Sequence, residues 1–414
     1  MLACESKKRL LVTASTFPRF EGDTEARFVF DLCRKLTRYF DVTVLVPADP
    51  DALLEEKMAG VNVIRYRYAP LRKMEKLAYP GAIIPRLQAK PYYWPLVPMM
   101  MAGLFWAVIK EISVHRYDVV HAHWLMPQGI IQSFISLKKD APPYVVTSHG
   151  GDIHSFNHPV FLKMFRWVVN GSSALTVVSS EIKTTIKKKL RLSDALKIDV
   201  VSMGADFEHF NPKYRDENWP EANGLALPVF LFVGRIAEKK GLKFLIEAFA
   251  TPIMKQRQCS LLVVGDGPLK KQLQDYVKAL DLSQKINFLG GVNHNELKKI
   301  YASADVLCVP SITAKNGDAE GLPTVIIESA ASGIPCIASR SGGISDIVHD
   351  NETGLLVEQK SVDELVSACI KYIEAPELRK KHGLAARALA KNYDWNVVAE
   401  KYAKVINQAI QQIN

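Results

Sequence analysis

The sequence predicts an α/β protein built from two doubly wound, Rossmann-like domains. Three observations carry this reading. At 414 residues the chain is longer than a single core comfortably supports. Short apolar runs alternate with helical patterns, and the alternation stops near Val201 and restarts at Pro228. Between them, Met203 to Pro220 has no periodicity. The expected boundaries are 1–202 for the first domain, 203–220 for a linker, 221–390 for the second domain, and 391–414 for a terminal helix packing back towards the first.

Each element follows from its pattern. Residues 10–15 read as a buried strand, followed by the polar loop 17–23 and a helix from about Glu25 to Tyr39, the first unit of a doubly wound sheet. Further strands are expected at 42–46, 61–66, 119–121, 144–148 and 174–178, with helical patterns at 128–137 and 181–190. In the second half, strands are expected at 229–233, 261–264, 286–289, 306–309 and 336–338, with helices at 242–250, 269–280 and 296–302. The apolar spacing of 395–413 suits a packed helix. In such folds small ligands bind beyond the carboxyl ends of the strands, so the cleft between facing sheets is the expected site.

A hydrophobic content of 48% with 23% charged residues is that of an ordinary globular protein. The net charge of +10 is uneven, since residues 1–210 hold 28 Lys and Arg against 20 Asp and Glu. Arg65, Arg67, Arg72, Lys73, Lys76, Arg86 and Lys90, opposed by Glu75 and interleaved with Tyr66, Tyr68 and Tyr79, suit an anionic membrane surface or an anionic acceptor. Nothing in the pattern calls for nucleic acid. The six cysteines form no Cys-x-x-Cys pair and several fall in apolar runs, which predicts reduced thiols and a cytoplasmic chain. No hydrophobic region precedes Leu2-Ala3-Cys4, so no signal peptide is expected. The longest apolar run, 94–109, falls short of the ~20 residues of a spanning helix. It is interrupted by Pro95, Pro98 and Gly103, and a buried helix is favoured over an interfacial one.

The chemistry gathers at Asp318-Ala-Glu320-Gly-Leu-Pro-Thr-Val-Ile-Ile-Glu328. Pro323 suits the first helical position, and Gly333 with Pro335 ends the helix. Glu320 then precedes the helix and Glu328 lies inside it, with free amides at Leu322–Val325, beside Pro323 and Thr324, offering an anion seat. Carboxylates accept sugar hydroxyls better than they bind phosphate, so the combination points to a nucleotide sugar. In Gly234-Arg-Ile-Ala-Glu-Lys-Lys-Gly241, Arg235 leaves a buried strand and Lys240 precedes a helix, so both cations suit a departing diphosphate.

In the first domain, Gly22 allows backbone amides to approach phosphate, while Asp23 either positions acceptor hydroxyls or caps the helix. His149, at a strand end before two glycines, is placed to bond the transferred sugar. Asp152 in the same motif and His123 at the end of another strand are assigned to the acceptor. Asp49-Pro-Asp51 reads as the cap of a helix and not as a metal site. Gly265-Asp-Gly267-Pro-Leu-Lys270 lacks the third glycine of a dinucleotide fingerprint, and neither a Walker motif nor a serine nucleophile elbow occurs.

These residues together resemble the retaining, nucleotide-sugar-dependent glycosyltransferases of GT-B fold that include glycogen synthases and bacterial mannosyltransferases. The likeness rests on the Gly22 loop, Ser148-His149-Gly-Gly-Asp152, Val201–Asp206, Val233–Gly241, Val264–Pro268 and Glu320-x7-Glu328, in this order along nearly the whole chain. Phe17-Pro-Arg-Phe-Glu-Gly-Asp23 looks most like members that build exopolysaccharides such as colanic acid. The resemblance implies that Glu320 contacts the donor sugar near its C3 and C4 hydroxyls and that Glu328 holds the ribose. It further implies that Arg235 and Lys240 neutralise the diphosphate, helped by amides of the Gly22 loop and of Leu322–Thr324, while His149 lies by the C6 hydroxyl. It also implies no metal or other cofactor, a polyprenyl-diphosphate-linked or glycan acceptor and retention by internal return. The basic region suits a peripheral place on the inner face of the membrane, and a site shared between Glu320 and, across the cleft, Gly22 and His149 makes domain closure during turnover an expectation. Read from the residues alone, His149 as the base of an inverting enzyme stays open. So do an epimerase or phosphorylase on this fold and a non-catalytic nucleotide-sugar-binding subunit.

Overall fold

The computed structural model describes residues 7–23, 27–79, 83–314 and 320–412, without the side chains of residues 85, 88 and 89. Cys4, Asp318 and the start of the helix expected from Glu25 lie outside the described residues. The chain divides into two compact units, Met1–Val178 with Ile182–Ser202 and Trp395–Asn414, and Ser179–Glu181 with Met203–Asp394.

The first unit holds β1 (Arg9–Thr13), β2 (Asp41–Pro47), β3 (Glu55–Met58), β4 (Val61–Tyr66), β5 (Val119–His123), β6 (Tyr144–Ser148), β7 (Ala174–Val177) and β8 (Ile198–Val200) in the order β3-β4-β2-β1-β5-β6-β7-β8. All neighbours are parallel except β3 with β4. Leu10, Leu11 and Val12 are fully buried, as strands covered by helices on both faces must be. The terminal helix Trp395–Gln411 belongs to this unit and buries Trp395, Val398, Tyr402 and Ile406. Its Tyr402 hydroxyl donates to the Val201 carbonyl at 2.9 Å.

The second unit holds β9 (Val229–Val233), β10 (Ser260–Val264), β11 (Ile286–Gly290), β12 (Val306–Val309), β13 (Cys336–Ser339) and β14 (Gly354–Val357) in the order β11-β10-β9-β12-β13-β14, all parallel. One face packs Phe230, Phe232, Leu245 and Phe249, the other Leu231, Leu307, Ile326 and Ile327. In each sheet the strand order reverses beside its first strand, β1 or β9. The loops after β1 and β5 in the first unit, and after β9 and β12 in the second, flank the crevice left there, and His149 follows β6, one strand further on.

Several expectations need correction. β3, β8 and β14 were not legible: Glu55-Glu-Lys-Met is a polar edge strand, and Ile198–Val200 has only three residues. Asp49 opens no helix. Its carboxylate accepts from Asp51 N–H at 3.0 Å in a turn ahead of β3. The helix expected over 128–137 is a π turn, Leu125–Gly129, followed by Ile130–Ile135.

The apolar run forms one helix, Leu96–Val114, which Pro98 and Gly103 do not interrupt. Pro98 lies in the first turn, where no N–H is needed, and Gly103 lets the helix close on Arg67, whose carbonyl oxygen would stand 2.6 Å from a Cβ. Only one stripe is buried, Leu96, Met100, Leu104, Val108 and Glu111; Trp106 is 66% exposed, and Trp94 just ahead of the helix is 59% exposed. The basic region is also partly internal. Tyr66, Tyr68, Tyr79 and Glu75 are buried, Arg67 donates to Glu75 at 2.6 Å, and Arg65 donates to the carbonyls of Pro18 and Arg19 at 2.9 and 3.0 Å.

Candidate functional site

In the second unit, the helix Thr324–Ala331 begins one residue later than expected, with Pro323 as its N-cap. Pro323 has no hydroxyl or carboxylate to offer, so no side chain caps the terminus. Ile326 N–H donates to Pro323 O at 3.1 Å, while the Thr324 and Val325 amides make no hydrogen bond among the described residues and keep the partial positive charge of the terminus. Glu320, 8% exposed, lies just before it. Lys240 Nζ stands 3.2 Å from Glu320 Oε2, and Lys239 Nζ stands 3.9 Å from Oε1. Burial pushes the Glu320 carboxyl up, but Lys240 and then Lys239 outweigh it, and the group is held below its ordinary range. Glu328 accepts from the Tyr301 hydroxyl at 2.8 Å; burial, and then Glu328, push that phenol well above its usual range.

The cationic loop is held by backbone contacts. Gly241 has φ +65°, and a Cβ there would stand 1.8 Å from the Pro310 carbonyl oxygen. Gly265-Asp-Gly267, set aside as a dinucleotide motif, serves this loop: Ile236 N–H donates to Asp266 O at 2.8 Å. Arg235 is exposed, and its guanidinium makes no hydrogen bond or ion pair among the described residues, while its carbonyl accepts from Ala237 N–H at 2.9 Å. Sequence reasoning missed Gly342 and Gly343. Gly343 N–H donates to Gly321 O at 2.9 Å, and a Cβ on Gly342 would stand 1.9 Å from Glu320 O. The available signal was Ser341-Gly-Gly-Ile344, with one residue, Arg340, between it and the end of β13.

In the first unit, Gly22 sits at φ +88° in an exposed turn with open space around it. Asp23 closes that turn, accepting from Arg19 N–H and Nε–H, both at 2.9 Å. His149, at the end of β6, is half-buried and ringed by Trp124, Phe28 and His123, with centroids 4.7, 5.2 and 5.2 Å away. His123 Nδ1 lies 2.9 Å from His149 Nε2. Burial, and then His121, bring His149 down to about 3, so the ring is neutral. Trp124 was also missed. Its φ of +73° is strained for a bulky residue and is held partly by its N–H bond to Thr147 O at 2.7 Å. No sequence signal announces that strain.

Asp23, Asp152 and His123, expected to meet an acceptor, are internal groups. Asp23 is 3% exposed and pairs with Arg19. Asp152 accepts from the Ser148 hydroxyl at 2.6 Å and from Leu125 N–H at 2.8 Å. Burial pushes its carboxyl up despite these bonds. His123 is fully buried behind His149. Among the described residues no group of three His, Cys, Asp or Glu could hold a metal ion.

Comparison with known proteins fits this geometry. Residues 215–389 match the family described as "Glycosyl transferases group 1", and residues 26–209 match "Glycosyltransferase Family 4". Together the two matches span most of the chain, which belongs to the glycosyltransferases they describe. Among curated relatives, this glycosyltransferase is 28% identical over 332 residues to the sulfoquinovosyl transferase SQD2 of Arabidopsis thaliana, covering 75% of this chain and 60% of that protein. It is also 28% identical over 263 residues to a GDP-mannose-dependent phosphatidylinositol monomannoside mannosyltransferase of Mycobacterium tuberculosis, covering 63% of this chain and 68% of that one. Sucrose-phosphate synthase from Thermosynechococcus elongatus superposes with a TM-score of 0.78 at 20% identity, covering 98% of this chain and 100% of that one. Anabaena HepE with bound UDP gives 0.70 at 18% identity, covering 96% and 99%. These superpositions establish the GT-B fold.

Proposed function

We propose that this glycosyltransferase moves a hexose from a nucleotide-diphosphate sugar to a hydroxyl of a glycan or lipid-linked sugar acceptor, with retention, in bacterial polysaccharide synthesis. The observation that carries the reading is the 3.2 Å contact between Lys240 Nζ and Glu320 Oε2 beside an uncapped helix N-terminus. A carboxylate that accepts sugar hydroxyls and a cation that meets phosphate share one point, as the junction between hexose and diphosphate requires. Relatives support the substrate class. The mycobacterial enzyme is named for GDP-mannose and a phosphatidylinositol mannoside, and a Bacillus subtilis relative for teichuronic acid biosynthesis.

In this reading Glu320 takes hexose hydroxyls, Glu328 the ribose, and Lys240, Arg235 and the amides of the helix Thr324–Ala331 the diphosphate. The bond from C1 to the diphosphate oxygen breaks as the acceptor oxygen bonds C1 on the same face. The acceptor's proton passes to the departing phosphate oxygen, so no protein base is needed and no step is assigned to a metal. His149, held neutral, is a hydrogen-bonding group here. Work at the cytoplasmic face of a membrane, through the exposed side of the helix Leu96–Val114, completes the proposal.

Thermal shift with UDP-, GDP- and ADP-sugars tests it. One nucleotide class at a hundred times its Kd should stabilise the chain by about 2.7 kcal/mol. The Glu320→Ala/Arg235→Ala double variant should lose both that shift and turnover while staying folded. No response to any class, or a fully active double variant, would defeat the reading.

A further inference from the structure

We propose that His123 is a positioning residue that locks His149 in its Nδ1–H tautomer, so that His149 meets a sugar oxygen as a hydrogen-bond donor and not as a base. The inference rests on the glycosyltransferase reading and deepens it. Between two neutral imidazoles 2.9 Å apart, one proton lies on the line joining His123 Nδ1 and His149 Nε2. Its owner follows from the far side of each ring.

Suppose His149 donated through Nε2–H. His123 would then accept at Nδ1 and carry its own proton on Nε2, which is buried without a partner. An enclosed N–H with no acceptor is rarer in folded proteins than an enclosed lone pair. With the proton on His123 Nδ1, the enclosed Nε2 is only a bare lone pair. His149 then accepts at Nε2 and must hold its proton on Nδ1, which makes no hydrogen bond among the described residues and is not enclosed.

The neighbouring ring obeys the same logic. His121 Nδ1 is also buried without a partner, and its Nε2 lies 2.7 Å from Thr147 Oγ1. A proton on Nε2 leaves another bare lone pair and lets His121 donate to Thr147, whose hydroxyl then donates to Thr176 Oγ1 at 2.5 Å. Thr176 can in turn donate to Val146 O at 3.4 Å. The buried donors of His121, His123, Thr147 and Thr176 are thereby all paired, and His149 Nδ1–H is the one left to meet a ligand. The rings of Trp124 and Phe28 beside His149 fix the orientation in which its Nδ1–H is presented.

A long-range 15N–1H spectrum of the histidine-labelled full chain reads the tautomer with no substrate present. Nδ1–H on His149 is expected, and Nε2–H overturns the proposal. His123→Asn keeps an N–H donor at the δ position and should leave His149 as it is, whereas His123→Phe fills the ring volume without a donor and should release the Nε2–H form. Turnover of UDP-glucose or GDP-mannose should then fall about tenfold in kcat in His123→Phe and largely survive in His123→Asn. A folded Asn variant as impaired as the Phe variant also overturns it. A chain that turns over neither donor counts against the transferase reading, while the spectrum still decides the tautomer.

Discussion

Lys240 and Glu320 are each other's counter-ions: Nζ lies 3.2 Å from Oε2, with the carboxylate nearly enclosed. The pair holds a charge in place that burial alone would suppress, because burial pushes the Glu320 carboxyl up and Lys240 with Lys239 bring it below its ordinary range. A depressed carboxylate stabilises the fold above its unfolded pKa, and that contribution is lost as pH falls through the folded value.

Lys240→Met should therefore do two things. Loss of one charge-assisted contact, worth about 1.5–3 kcal/mol, should weaken nucleotide-sugar binding by roughly 10- to 100-fold at neutral pH. The acid limb of binding should also move to higher pH, since burial then acts on Glu320 with Lys239 as the remaining cation. Calorimetric titration from pH 4 to 8 reads both. An unmoved acid limb would mean that Lys240 does not set the charge of Glu320.

Gly342→Ala is expected to disturb Glu320 without touching a side chain. The position has φ +54°, and an added Cβ would stand 1.9 Å from the Glu320 carbonyl oxygen, a backbone atom that cannot swing aside. The backbone before the helix Thr324–Ala331 must shift. A rise of at least about tenfold in nucleotide-sugar Kd is predicted, with a stability loss of about 1–3 kcal/mol by urea denaturation. Unchanged binding in a destabilised protein would reduce the glycine to a packing role.

These two cases show what a sequence yields and what it withholds. The placement of Glu320, Lys240 and Arg235 beside strand ends and a Pro-led helix was legible because apolar strand runs and helix-start signals fix those positions locally. Gly342 was not, since it acts through the absence of a Cβ against a segment some twenty residues away, a proximity that no local pattern encodes. Depth was equally hidden. His123 ends β5 and Asp152 lies four residues past β6, as an acceptor contact should, yet the carboxylate closes on Leu125 N–H and the imidazole lies behind His149. The central strands were legible from unbroken apolar runs, while the polar edge strand β3 owes its existence to pairing with β4.

The helix Leu96–Val114 carries the last prediction. Its buried stripe accounts for one side, yet Trp106 on the other is 66% exposed, and Tyr92 and Trp94 just before it are 68% and 59% exposed. Lys110 is exposed on the same helix and Lys90 lies just ahead of it. Aromatic rings with cations suit the headgroup layer of an anionic bilayer, where the rings sit at the boundary and the ammonium groups meet lipid phosphates. Burying a large side chain contributes about 1.5–3 kcal/mol. Trp94→Ser with Trp106→Ser should therefore lower the fraction sedimenting with phosphatidylglycerol vesicles by at least about tenfold in binding constant, whereas Lys90→Gln with Lys110→Gln should mainly reduce its salt sensitivity. Neither pair touches the nucleotide-sugar residues, so donor-induced thermal shifts should be unchanged. Equal sedimentation of wild type and the tryptophan variant would remove this face from the membrane and leave it to some other partner.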